Sequence, residues 1–226
     1  MLCGDERTKL RVSRFINRKP AANFHHAVRA AELKGYPLNL LVSINLGCTG
    51  AAADLPAAAS ICQKLRDKFT KWATRPPVNQ ARSKFPGTFV WVLEKPSLHV
   101  NFHWLLHVPV SKQREFKERL YSWVASLAGG ILDEAAIDVK AAPKPKGAGK
   151  YMLKGMHPSW AQHFDIEFED QGEIFGKRSG YSRNIGPTEV RMMRVRGRYP
   201  QTRRYVKGLY TRPSTVTPRP TVQVSI

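Results

Sequence analysis

The chain is 226 residues long, carries 37 lysines and arginines against 17 acids for a formal net charge of +20, and is 42% hydrophobic. A chain of this length buries roughly 70% of its unfolded surface and needs no covalent or zinc staple. Three cysteines, Cys3, Cys48 and Cys62, with no CxxC pair, exclude a disulfide scaffold and a thiolate zinc module and favour a reducing compartment. The longest apolar run, around Leu38 to Leu46, falls short of the roughly 18 residues of a membrane span, and MLCGDERTKLR has no signal-like apolar stretch, so a cytoplasmic protein without membrane contact is expected.

Residues 1–37 mix basic and small residues around Pro20 and Pro37 and read as an N-terminal arm, with a short helix within Ala21 to Leu33. Leu38 to Leu46 (LNLLVSINL), bounded by Pro37 and Gly47, predicts a buried strand. Asp54 is placed to cap a helix in which Ile61, Leu65, Phe69 and Trp72 recur at helical spacing until Pro76-Pro77. Thr88 to Glu94 (TFVWVLE) and His99 to Val108 predict two strands of a hairpin around Lys95-Pro96-Ser97. Ser111 is placed to cap a second helix with Phe116, Leu120, Trp123 and Leu127 on its core face, ended by Gly129-Gly130. Ile131 to Val139 predicts a strand, Lys150 to Met156 a short helical stretch, and Asp165 to Phe175 a further strand or hairpin. A hairpin flanked by amphipathic helices predicts an α+β fold, an antiparallel sheet with helices packed on one face and the other face free for a ligand. The domain so defined spans 38–175, and 176–226 forms a basic tail, with Thr211 to Pro220 reading as disordered and Thr188 to Arg198 as a further helix.

From Lys177 onward there are 12 lysines and arginines against Glu189 alone, so more than half of the charge excess lies in the last 50 residues. Such an imbalance points to a polyanion, and nucleic acid fits best. Lys150, Lys177, Arg178, Arg183, Arg191, Arg194, Arg196 and Arg198 supply phosphate contacts, and Tyr181 and Tyr199, interspersed among them, supply stacking surfaces.

Alternation along His99 to Val108 sorts Val100, Phe102, Trp104, Leu106 and Val108 onto a core face and His99, Asn101, His103, Leu105 and His107 onto the other. On the preceding strand Phe89, Trp91 and Leu93 match the core, which puts Glu94 on the histidine side with His99, Asn101 and His103. Imidazoles and a carboxylate on adjoining strands suit a divalent cation acting on phosphate, Mg²⁺ or Mn²⁺ first and Zn²⁺ second. The same spacing equally describes a polar sheet face whose histidines stack on bases. His107 reads as structural. Tyr151 and Lys154 are neighbours three residues apart on a helical turn, with Met152 and Leu153 free to anchor it. A tyrosine hydroxyl attacking a phosphodiester needs a polarising cation and nearby positive charge, which Lys154 supplies.

The order of a leucine-rich strand, a strand with histidines at alternate positions (NFHWLLHVP) and a Tyr-x-x-Lys turn (KYMLKG) resembles the HUH endonuclease superfamily, in its rolling-circle replication initiator branch from plasmids and single-stranded DNA phages. The resemblance covers Leu38 to Lys154. It implies a ferredoxin- or RRM-like core, Tyr151 as nucleophile with Lys154 as its helper, and Glu94 at the position of a third metal ligand. It further implies a 5′-phosphotyrosine intermediate on a single-stranded or hairpin DNA origin, with strand transfer in a later step. Asn101 departs from the motif, standing where the first histidine belongs, and His99 is the candidate replacement. A single-tyrosine transposase and a non-catalytic nucleic-acid binder on the same fold are the alternatives. No phosphate-loop helicase signature is present, because Lys144 and Tyr151 occupy the positions of its first glycine and its Ser/Thr, so strand separation would fall to a host helicase or to the template.

Overall fold

A computed structural model describes residues 12–51, 55–75 and 84–200. Asp54, Pro76 and Pro77, and the segment 211–220 read as disordered, lie outside them. The strands are β1 (Val12–Ser13), β2 (Leu40–Asn45), β3 (Phe89–Glu94), β4 (Asn101–Leu106), β5 (Ile137–Ala141), β6 (Ile174–Phe175) and β7 (Ser179–Tyr181). The α-helices are α1 (Arg18–Leu33), α2 (Leu55–Thr74), α3 (Gln113–Leu127), α4 (Pro145–Met152), α5 (Pro158–Ala161) and α6 (Pro187–Val195). The main sheet has the order β5-β2-β4-β3-β7, antiparallel throughout, as the α+β reading expects; β1 and β6 form a separate pair.

Sheet parity follows the sequence. Trp91 faces Trp104, Leu93 faces Phe102 and Phe89 faces Leu106, so one face presents a continuous aromatic and aliphatic surface. The periodic residues of α2 and α3 cover it: Leu65, Phe69, Phe116, Leu120 and Val124 are all fully buried there. Phe69 is the hub, with ring centroids 5.1 Å from Trp104, 5.7 Å from Phe116 and 6.0 Å from both Phe89 and Trp72.

The second face departs from expectation. Val90, Val92 and Leu105 belong to a second core built with Phe24, Ala27 and Val28 of α1, Met152 of α4 and Val190 and Met193 of α6. Helices therefore pack on both sides of the sheet. Residues 18–33, read as part of an arm, are an integral helix, because Phe24, Ala27, Ala30 and Ala31 form an apolar stripe that Val90, Val92 and Leu105 would otherwise expose to water. Gly149 lets α4 lie close on α1: a Cβ there would stand 3.3 Å from Val28. The end of this face that carries Asn101, His103 and Glu94 lies beyond those apolar residues, and its polar groups define the site described below.

The basic segment after 176 is likewise part of the fold as far as residue 199. Ser179, Gly180 and Tyr181 pair with β3, and α6 follows Gly186-Pro187, close to the expected helix. The stretch 165–175 forms only the short β6; Asp165 takes a left-handed conformation and the rest is loop.

Candidate active site

The register of β2, β4 and β3 brings one row of polar residues together: Ser43 opposite His103, Asn45 opposite Asn101, and Asn101 opposite Glu94. Parity places Glu94 on the polar side of the sheet with Asn101 and His103, and its side chain is buried there. His103 answers it diagonally across the strands, Nε2 3.2 Å from Glu94 Oε2, while its Nδ1 is 2.9 Å from Ser43 Oγ.

α4 delivers the rest. Met152 and Leu153 are fully buried and fix the turn at the end of the helix, which leaves Tyr151 54% exposed. Lys154 follows in that turn. Its ammonium lies 4.7 Å from the Tyr151 ring centroid and donates to the phenolic oxygen at 3.4 Å. It also stands 2.9 Å from Glu169 and 3.8 Å from Glu94. Burial pulls the Lys154 pKa down, but the hydrogen bond to Glu169, the charge of Glu94 and the phenol together outweigh it and hold the ammonium above the ordinary lysine value. Lys154 is thus a firm cation, suited to stabilising an oxyanion and unsuited to accepting a proton.

Two of the expected ligands converge and two do not. Glu94 and His103 meet; Asn101, half-buried, is their register neighbour on the same face. His99 lies in the bend before β4, exposed, with its ring against Gly47, and among the described residues nothing joins it to Glu94 or His103. Among the described residues no three histidine, cysteine, aspartate or glutamate side chains gather as a metal-ligand group. One feature nonetheless fits a cation: Glu94 Oε1 is buried without a hydrogen-bond partner, an arrangement that costs about 1–3 kcal/mol unless something occupies it. Glu94 and His103 offer one oxygen and one nitrogen donor, with Asn101 beside them in register, donor types that Mg²⁺ and Mn²⁺ accept.

Ser43, Glu169 and Lys140 were not singled out by the sequence. Ser43 is legible in retrospect from the alternation of β2, whereas Glu169 sits in a loop and gives no signal. Lys140, on the edge strand β5, is held above its ordinary value first by its hydrogen bond to Asp138 and that residue's charge, with a smaller contribution from Tyr151.

The expected nucleic-acid residues divide. Lys177, Arg183, Arg191, Arg194, Arg196 and Arg198 are exposed. Lys150 is half-buried and pairs with the exposed carboxylate of Asp165. Arg178 is a correction: it is 3% exposed, donates to the carbonyls of Gln171 and Gly172, and is turned into the fold behind Glu94. Its guanidinium satisfies a loop that has no ladder of its own, so it is unavailable to DNA. Tyr199 is a second correction, being 2% exposed, hydrogen-bonded to His26 Nδ1 at 2.8 Å and flanked by Arg29 and Arg194 at 5.0 and 5.2 Å from its ring. His107 is structural as read, its Nδ1 donating to the Pro37 carbonyl at 2.8 Å.

Among the described residues no helix is long and apolar enough to cross a membrane. Comparison with protein-family models, with curated proteins and with solved structures returned no match.

Proposed function

We propose that the protein is a DNA replication initiator: a metal-dependent single-strand endonuclease and strand transferase with Tyr151 as nucleophile. The observation that carries this reading is a continuous chain of contacts, from the exposed Tyr151 phenol to Lys154, to the buried Glu94, to His103 on the neighbouring strand. A surface ion pair would not require a buried carboxylate with an orphaned oxygen beside an exposed phenol.

In the proposed step the Tyr151 oxygen attacks the phosphorus of a single-stranded DNA phosphodiester, the bond to O3′ breaks, and a 5′-phosphotyrosine bond forms. The phenol loses its proton and the departing O3′ gains one, so the strand ends in a free 3′-OH. Attack by a 3′-OH on the phosphotyrosine reverses the step and joins ends. Lys154 stabilises negative charge on the phenolic oxygen, and Ser43 holds the His103 ring through Nδ1, leaving Nε2, which faces Glu94, as the nitrogen for an ion. A divalent ion held by Glu94 and His103, with Asn101, would polarise a non-bridging phosphoryl oxygen.

The experiment is incubation with a 3′-labelled pool of random-sequence single-stranded DNA and Mn²⁺. A labelled adduct that survives denaturation and is absent from Tyr151→Phe is expected. The reading fails if the native protein gives no adduct or if the phenylalanine variant still gives one. Asn101 at the position of the first motif histidine favours one other reading, a nucleic-acid binder on the same fold, which predicts retained DNA binding without any adduct.

A further inference from the structure

On the face of the sheet opposite Tyr151, α2 and the edge strand β7 enclose a cleft of about 590 Å³, within the range of ligand-sized sites. Its wall includes Arg66, which is 7% exposed and has no acidic partner among the described residues. The Arg66 guanidinium stacks at 4.0 Å from the ring centroid of Trp91, Nη2 donates to Gln63, and Nη1 is buried without a partner. Gly180 makes room for that stack: a Cβ at this position would come within 2.7 Å of the indole nitrogen. Asp67, the one acid in the cleft lining, accepts from Gln63 instead. Burial lowers the Arg66 pKa to about 10, leaving it charged at neutral pH. The rim adds Lys177 and Arg183, both exposed, and Tyr181, whose ring lies 5.6 Å from the Lys177 ammonium.

A buried cation to which no carboxylate among the described residues is bonded, Asp67 acting on it only at a distance, is costly, and an aromatic face offsets only part of the cost. A cleft that holds one, with two more cations and a stackable ring at its mouth, has the composition of a phosphate site. We infer that the cleft over Arg66 binds a phosphate group, carried by a nucleic-acid strand or by a free nucleotide, and is separate from the Tyr151 site.

The test uses the full chain, with Arg66→Met keeping the reach over Trp91 while removing the charge. Inorganic phosphate and dAMP are expected to raise the melting temperature of the native protein saturably, and Arg66→Met to abolish that response. Anisotropy with a dT20 oligonucleotide then separates the sources: a loss of about tenfold in affinity in Arg66→Met, the scale of one charge-assisted contact, assigns the site to the strand, and an unchanged affinity assigns it to the free nucleotide. A native protein that responds to none of the three probes overturns the inference, as does an Arg66→Met protein that keeps the phosphate response. Should Arg66→Met not fold, the double substitution Lys177→Glu with Arg183→Glu, both at exposed side chains, carries the same two outcomes. The phosphate response is expected to persist in Tyr151→Phe, so failure of the cleavage reading and failure of this site are read separately.

Discussion

His103 Nε2 and Glu94 Oε2 lie 3.2 Å apart although their residues are not directly paired, Glu94 standing opposite Asn101 and His103 opposite Val92. The diagonal arises because an imidazole is long enough to cross to the next position on the same face. It ties a buried carboxylate to a ring whose other nitrogen is held by Ser43. His103→Ala is expected to abolish adduct formation while single-stranded DNA binding and its salt dependence remain, as adduct gels and anisotropy on the same preparation will show. Retained cleavage would remove His103 from the mechanism.

Glu94→Ala leaves Lys154 with Glu169 and the Tyr151 phenol, and takes from His103 Nε2 its carboxylate partner. Losing a buried hydrogen-bonded carboxylate whose cation neighbour keeps another acid is expected to cost about 1–3 kcal/mol by urea unfolding. Glu94→Gln keeps the shape and is expected to cost less while still losing cleavage.

Arg178 separates a structural role from DNA binding. Arg178→Met is expected to destabilise the protein by about 1–3 kcal/mol, because the carbonyls of Gln171 and Gly172 lose their donor. The salt slope of DNA binding should stay as in the native protein, whereas substitution of exposed Arg191 should lower it by about one. A reduced slope in Arg178→Met would return that side chain to the binding surface.

Phe69 joins α2 to the sheet and to α3 through five aromatic neighbours, Trp72, Phe85, Phe89, Trp104 and Phe116. Phe69→Ala is expected to cost about 3–5 kcal/mol in denaturant unfolding, since a fully buried ring leaves a cavity its rigid neighbours cannot fill. Phe69→Leu should recover most of that loss.

The acid limb of stability should report Glu115. Its hydrogen bond from Trp72 Nε1, with further bonds from Lys112 and Arg119, takes its pKa from 4.5 to about 2 against a smaller opposing effect of burial. The folded value is depressed, so the stabilisation is present above the ordinary carboxylate value and is lost as pH falls toward about 2. Glu115→Gln is expected to lower the melting temperature near neutrality, where the stabilisation is fully present, and to flatten the profile in the acid window.

The period-two alternation of β3 and β4 and the helical recurrence of Ile61, Leu65 and Phe69, and of Phe116 and Leu120, determined the sheet, its first core and the side on which Glu94 and His103 stand. These patterns are local, and burial of one face follows from them directly. The Tyr151-Lys154 pair was legible for the same reason, since neighbouring residues on one turn meet whatever surrounds them. Composition gave the charge and no address for it. Whether an arginine or tyrosine faces solvent depends on partners far along the chain, and His26 with Tyr199 is a contact across 173 positions. Arg178 was drawn inward by carbonyls of a loop that lacks strand pairing, Tyr199 by α1, and Arg66 by the indole of Trp91. The second core, which makes residues 18–33 part of the sheet's packing, formed because Val90, Val92 and Leu105 needed cover, a demand that belongs to the assembled sheet and to no single segment.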